Sequence, residues 1–295
     1  MVKKDRTFQI VGNAIMMTMV ILCLIPFIVL VVSSVTDELS LLRNGYSFFP
    51  SKVSFDAYKY LLIESDSIVR GYIISTLVTI FGTFMNVTLT VLFAYPLSRK
   101  DLPGRGFFAF FIFFTMLFNG GLVPSYIMWT QVFHIKNTWL AYIIPRLMMS
   151  AFYVIMMRTY FSSNIPEAVI EATRIDGASE FQTLWKVVIP MSVPILATVT
   201  LLVGLAYWND WINGLYYINK DNMYSIQALL NRMLMDVQFL LSNAQSSASL
   251  NQEIVLPASG IKMAIAVLGV LPILVTYPIF QKYFVKGIVI GAVKG

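Results

Sequence analysis

Long uncharged apolar runs alternate along this chain with short polar segments. No Asp, Glu, Lys or Arg occurs from Thr7 to Thr36, Gly71 to Ser98, Gly106 to Ile135, Val187 to Asn209 or Met263 to Gln281. A sixth run, Trp139 to Met157, is interrupted only by Arg146. Each is long enough to supply the ~20 residues that a bilayer core requires of a helix. The pattern therefore predicts an all-α polytopic membrane protein with six transmembrane helices. Tyr224 to Leu241 is not a seventh, because Arg232 and Asp236 sit inside it and its polar residues recur on one face, as in a surface helix.

Composition agrees: 58% of residues are hydrophobic and 12% charged, outside the range of soluble domains. The net charge of +6 is not spread evenly. Lys3, Lys4 and Arg6 precede the first span, and Arg99, Lys100 and Arg105 separate the second from the third. Arg158, Arg174 and Lys186 surround a polar loop after the fourth, and Lys282, Lys286 and Lys294 end the chain. All four groups fall on one side of six spans, so the excess of bases places both termini in the cytoplasm, with the segments 37–70 and 212–262 outside. The basic balance thus expresses topology, and a nucleic-acid partner is excluded for want of a soluble basic face. Val32-Ser33-Ser34 resembles a cleavage site, but the preceding run is longer than a signal peptide's and further spans follow, so an uncleaved first helix is expected. Cys23 and His134 each stand alone, which leaves no metal or Cys-His chemistry. No Lys is followed by Ser or Thr, so no phosphate-binding loop exists and the chain does not hydrolyse ATP by itself.

The cytoplasmic loop at 163–190 carries the most specific chemistry. Ile165-Pro166-Glu167-Ala168-Val169-Ile170-Glu171-Ala172-Thr173-Arg174-Ile175-Asp176-Gly177-Ala178 reads as two short helices meeting at Asp176-Gly177. Asn164 is the expected N-cap of the first, with Pro166 and Glu167 in its first turn, and Asp176 that of the second. Gly177 supplies positive φ or close approach at the pivot. Ala168, Ala172 and Ile175 form a small apolar stripe suited to a shallow groove, with Glu171 and Arg174 beside it. Glu171-Ala172-Thr173, Gly177 and Val187-Val188-Ile189-Pro190 resemble the EAA loop of ABC importer permeases, with Thr173, Val187 and Ile189 as conservative departures. That resemblance implies that Glu167, Ala168, Glu171, Ala172, Arg174, Asp176, Gly177, Ala178 and Pro190 couple the membrane part to a separate ATPase.

The likeness covers essentially the whole chain, 1–295, as one transmembrane domain with a five-helix permease region at 71–284. Asn119-Gly120-Gly121-Leu122-Val123-Pro124, Trp208-Asn209-Asp210-Trp211 and the ending Gln281 to Gly287 with Gly291 to Gly295 look like carbohydrate-uptake permeases of the maltose-type second subunit. Within these, the likeness is to permeases of Gram-positive bacteria for complex oligosaccharides or polysaccharide-derived sugars. The implied partners are a second related permease, two copies of an ABC ATPase, an extracellular solute-binding protein and the lipid bilayer. ATP and magnesium belong to the ATPase and no cofactor to this chain. An ion-coupled secondary transporter would need inverted repeats and a midplane cation site, neither of which is visible, and a non-sugar solute is the nearer alternative.

A sugar passage needs aromatic platforms and hydrogen-bonding groups. Asn119, Gly120, Gly121, Tyr126, Arg146, Tyr153, Trp208, Asn209, Asp210 and Trp211 are the candidates, although tryptophans near span ends also suit an interfacial belt. Arg146 and Asp210 are functional candidates because charges inside spans are expensive. Counted along continuous helices they lie at similar depths, about 12 Å and about 10 Å at a rise of ~1.5 Å per residue, so an ion pair between them or exposure to a wet cavity is the expectation, with Arg146 snorkelling to the outer headgroups and Asp210 at a hydrated mouth as the alternative.

Overall fold

The computed structural model describes residues 6–63, 65–246 and 258–292. Lys3, Lys4, Lys294, the last residues of the C-terminal motif and positions 247–257 of the predicted outer loop lie outside them. In chain order the helices are α1 (Arg6–Ser34), α2 (Glu38–Asn44), α3 (Asp56–Ile63), α4 (Ser65–Ser98), α5 (Arg105–Leu117), α6 (Leu122–Ile127), α7 (Leu140–Ile143), α8 (Ala151–Asn164), α9 (Glu167–Ile175), α10 (Glu180–Thr183), α11 (Ile189–Met191), α12 (Val193–Trp208), α13 (Ile212–Tyr217), α14 (Ile226–Ser246) and α15 (Ala258–Ala292). Wide π-type turns at Met128–Val132 and Leu184–Val188 extend α6 and join α10 to α11.

Among the described residues three helices are long and apolar enough to cross a membrane, Thr7–Ser34, Asp66–Ser98 and Ser259–Thr276, and two bent pairs raise the number to five. The remaining predicted span, 139–157, is not a continuous helix: α7 and α8 are separated by residues 144–150. Each break has a local cause. After α5, Asn119 Oδ1 accepts from Gly121 N–H at 2.9 Å and Gly121 adopts φ +83°, so the chain resumes in α6 bent by 110°. Between α11 and α12, Ser192 leaves helical geometry and Pro194 has no N–H to continue the ladder, giving a bend of 84°. In the fourth run, Pro145 and a positive-φ Arg146 interrupt it. α14 covers the stretch predicted to be amphipathic and is not among the crossing helices.

The chain divides into two compact units, one of Met1–Asp66 with Leu230–Pro272 and the other of Ser67–Leu229 with Ile273–Gly295. In the first, none of α1's apolar window is buried, as suits a helix whose solvent is lipid. The α1–α2 corner is pinned by a bridge between Thr36 and Val53, with Asp37 N–H donating to Lys52 O at 3.0 Å. The Glu38 carboxylate accepts from Ser259 N–H at 3.0 Å and Gly260 N–H at 2.9 Å, two of the orphan donors that open α15. In the second unit α4, α8 and α12 share a core in which Val78, Ala94, Val154, Met157, Val199 and Val203 are buried. Gly82 lies so close beneath the Tyr207 ring that a methyl group there would overlap it.

Candidate functional site

All the loop residues singled out in the sequence fall in the second unit, and the chain there makes an elbow. α8 runs through Asn164, whose amide turns back to Tyr160 O at 3.3 Å, so it does not cap α9; Pro166, extended at ψ 134°, is the N-cap instead. α9 ends in a Schellman arrangement: Ala178 N–H donates to Thr173 O and Gly177 N–H to Arg174 O, both at 3.0 Å, around Gly177 at φ +73°. Asp176 therefore closes the first helix rather than opening the second. Ser179 opens α10 in a reciprocal capping box with Gln182, a Ser-x-x-Gln signal legible in the sequence.

The two faces of α9 differ sharply. Ile170 is buried and Thr173 Oγ1 meets Thr183 Oγ1 at 3.1 Å, which holds the return helix against α9. Ala168, Glu171, Ala172 and Ile175 are all exposed, Ile175 by 87%, and Phe181 and Trp185 add an exposed ring pair 6.0 Å apart. Asp176, Gly177 and Pro190 are exposed and Ala178 is half-buried.

Two loop residues read as ATPase contacts are engaged within the chain. Arg174 pairs with Asp101 of the α4–α5 turn, and its Nη2 also lies 2.8 Å from Glu180 Oε1; Tyr95 OH donates to the other oxygen of Glu180 at 2.5 Å. Glu167 Oε2 accepts from Lys100 Nζ at 2.6 Å. The Arg174 guanidinium holds the Asp101 carboxyl below its ordinary range, and the Lys100 ammonium does the same for Glu167. Asp101, Glu180 and Tyr95 were missed because Asp101 and Tyr95 meet the elbow only through the fold. Cavities of about 280 and 400 Å³ flank this joint, the first between Arg99, Arg105, Ser162 and Glu167, the second between Leu92, Asp101, Arg174 and Phe181.

A second constellation surrounds the interrupted fourth run. Leu147 N–H returns to Pro145 O at 2.8 Å across Arg146 at φ +67°, a γ-turn in its strained positive-φ form. The carbonyls freed by this break are met by side chains of three helices. Tyr207 OH donates to Ile143 O at 2.9 Å, Asn213 Nδ2 to Pro145 O at 3.0 Å, and Asn86 Nδ2 to Leu147 O at 2.5 Å. Thr90 Oγ1 holds Asn86 from behind at 3.1 Å. Non-helical backbone survives at membrane depth where protein satisfies it in this way.

The expected ion pair is not formed. No carboxylate among the described residues lies within 4.0 Å of Arg146, which is exposed, while Asp210 Oδ1 accepts from Asn213 N–H at 3.1 Å and its other oxygen is buried without a hydrogen-bond partner. The break removes the continuous helix on which the depth count rested. Tyr126 stacks on Tyr217 with ring centres 6.0 Å apart, and Lys136 Nζ reaches the Tyr126 hydroxyl at 3.2 Å. Asn119, Gly120 and Gly121 form the exposed corner between α5 and α6; Tyr153 packs partly buried beside the core. Trp208 is buried against Tyr72, whereas Asn209 and Trp211 are exposed.

Comparison with known proteins accords with this architecture. The chain is 32% identical over 292 residues to the polygalacturonan/rhamnogalacturonan transport system permease protein YtcP of Bacillus subtilis, covering 99% of this chain and 100% of that one. It is 25% identical to the arabinooligosaccharides transport system permease protein AraQ of Halalkalibacterium halodurans, over 92% of this chain and 91% of that one. A solved bacterial ABC transporter involved in the import of the acidic polysaccharide alginate has a chain of the same fold, with TM-score 0.77 and 29% identity over 96% of this chain and 99% of that one. With residues 86–290 matching the binding-protein-dependent transport system inner membrane component, the chain belongs to that family, as a membrane-embedded permease subunit of an ABC importer whose ATP hydrolysis resides in a separate ATPase.

Proposed function

We propose that this permease forms half of the translocation pathway for an oligosaccharide and is driven through the elbow at 163–190. One observation carries the coupling role: α9 is braced from behind by Ile170, Arg174 and Thr173 while Ala168, Glu171, Ala172 and Ile175 stand exposed. A small-residue stripe of this kind fits a shallow groove on another protein, and the ties from Arg174 to Asp101 and from Glu167 to Lys100 would carry a displacement of the elbow to α4 and α5. Glu167 and Arg174 thus serve as struts, and Asp176, Gly177, Ala178 and Pro190 set the shape that docks. The substrates named for the relatives, polygalacturonan/rhamnogalacturonan, arabinooligosaccharides and alginate, support a carbohydrate substrate.

In this reading the elbow and both termini are cytoplasmic, 212–262 is extracytoplasmic and 71–284 is the permease core. A second related permease completes the passage, two copies of an ABC ATPase bind ATP and magnesium, and an extracellular solute-binding protein delivers the sugar. Asn119, Gly120, Gly121, Tyr126, Arg146, Tyr153, Asn209, Asp210 and Trp211 are the pathway candidates, with Trp208 supporting them from the core. Purified alone, the chain should hydrolyse no ATP; reconstituted with its ATPase, permease partner and binding protein it should show sugar-stimulated hydrolysis and uptake. Hydrolysis by the chain alone, or assembled vesicles that hydrolyse ATP without moving any oligosaccharide, would refute the reading.

A further inference from the structure

Three of the uncharged runs end beside one carbonyl. Arg99 follows the run that closes at Ser98, Arg105 precedes the one that opens at Gly106, and Arg158 follows the one that closes at Met157. In the fold Arg105 Nε donates to Leu97 O at 2.9 Å and Arg158 Nε donates to the same oxygen at 3.1 Å, so the two Nε atoms lie at most 6.0 Å apart, the sum of the two distances. Ser162 Oγ donates to the next carbonyl, Ser98 O, at 3.3 Å. The end of α4 accounts for one donor from each arginine, since cations suit the unpaired carbonyls of a helix C-terminus. It does not account for the rest of their charge.

Most of the N–H groups of each guanidinium are left over. Among the described residues neither Arg105 nor Arg158 makes another hydrogen bond or has a carboxylate within 4.0 Å. The nearby acids are engaged elsewhere: Glu167 accepts from Lys100 at 2.6 Å, and Asp101 is shared by Arg174 and, at 3.7 Å, by Arg99, whose Nε is buried without a hydrogen bond. Partly buried like charges at this separation repel, and an anion between them relieves the cost. A cavity of about 280 Å³ lies at this point, lined by Arg99, Lys100 and Arg105 together with Ser98, Ser162 and Ser163.

The level of the cavity and its neighbours narrow the anion. Because three span ends converge there, it stands where hydrocarbon gives way to headgroups. α5 starts from its rim with Gly104 as N-cap, no side-chain cap and no acid in the first turn, an end that favours negative charge. Along the same helix Phe107, Phe108 and Phe111 are exposed, and the sequence stays uncharged to Ile135. A soluble anion would use the bases alone. A ligand that uses the bases and the phenylalanines together is an amphiphile with a negative head.

We propose that Arg105 and Arg158, with Arg99, form a binding site for the phosphodiester of an anionic phospholipid of the cytoplasmic leaflet, whose acyl chains lie along α5. The Lys100–Glu167 tie forms part of the cavity wall, so a bound headgroup sits directly behind the elbow and stiffens its joint to α4 and α5. The site rests on the cytoplasmic placement of these span ends and not on the solute carried, so its failure would leave the oligosaccharide reading as it stands.

The test uses the assembled transporter, both permeases with the ATPase, purified in detergent. It is titrated with dioctanoyl phosphatidylglycerol or with dioctanoyl phosphatidylcholine, whose choline neutralises the same phosphate, and lipid bound to the permease is read by native mass spectrometry. Arg105→Gln combined with Arg158→Gln removes both charges while leaving amide donors for Leu97 O; Lys at both positions restores the charges. Lys186→Gln removes an exposed base elsewhere in the loop. The unmodified transporter should bind phosphatidylglycerol at least tenfold more tightly than phosphatidylcholine, the scale expected of two bases at a headgroup. The Gln pair should bind the two lipids alike, the Lys pair should stay within threefold of the unmodified protein, and Lys186→Gln should be unchanged. Equal binding of both lipids by the unmodified transporter would overturn the proposal, as would full selectivity in the Gln pair. An equal loss in Lys186→Gln would replace the site by diffuse surface charge. Displacement of phosphatidylglycerol by millimolar inorganic phosphate would assign the cavity to a soluble anion, and selectivity that disappears when the ATPase joins the permease pair would assign it to a carboxylate of the ATPase; either result overturns the lipid. If the Gln pair does not retain the partner permease, Arg158→Gln alone carries the test: a loss of at least threefold supports the site and unchanged selectivity removes it.

Discussion

Gly177 offers the sharpest test of the elbow. Its φ of +73° completes the Schellman turn that ends α9, and a Cβ placed there would meet nothing within 4 Å. Substitution is therefore opposed by backbone conformation and not by crowding inside this chain. The left-handed conformation costs an L residue about 1–2 kcal/mol, which weakens the properly turned elbow relative to alternatives by about five- to thirtyfold. Asn tolerates this region better than Ala, and β-branched Val worst. Asn at 177 should thus retain the ATPase nearly as the unmodified permease does, Ala less and Val least, and Asp should suffer further from a charge at the docking face. The assay is retention of the ATPase by detergent-solubilised permease, with retention of the partner permease as the control for folding of the membrane part. If Gly177→Val and Gly177→Asp both hold the ATPase and support uptake at unmodified levels, the turn is not what the ATPase reads.

Arg174→Gln should loosen α9 without unfolding the core. Its side chain is 44% exposed, so solvent screens its ion pairs, and a double-mutant cycle with Asp101→Asn, read by ATPase retention, should give a small favourable coupling; strict additivity would remove the strut. The same tie has a defined pH dependence. Because Arg174 holds the Asp101 carboxyl below its ordinary value, the stabilisation is complete above the unfolded value of about 4 and is lost as pH falls through the lower folded one. Coupling at pH 6 and pH 8 should accordingly be the same, and a loss between those values would point to another group. Glu38→Ala should release the Ser259 and Gly260 amides, at a cost of about 1–2 kcal/mol, seen as faster hydrogen exchange at those two positions; unchanged exchange would show that the cap contributes nothing.

What could be read from the sequence was what local chemistry decides. Uncharged runs longer than any soluble core specify a membrane protein, because unpaired backbone and charge are costly in lipid. The elbow was legible through its pivot at Gly177, which acts on bonds within four residues of itself, whereas its helices are capped by Pro166 and Ser179 and not by Asn164 and Asp176 as expected. The fourth run read as a continuous span because its apolar content hides a turn without glycine: Arg146 at positive φ violates local preference, and only Tyr207, Asn213 and Asn86, all more than sixty positions away or on other helices, make that conformation tenable. The same holds for Glu38 capping α15 across 221 positions and for Asp101 meeting Arg174 across 73. Sequence composition thus determined the solvent and the elbow, since both depend on energies that each residue carries with it. Which charges are paired within the chain and which meet no carboxylate among the described residues depends on distances between residues far apart in the chain, and that only the tertiary structure decided.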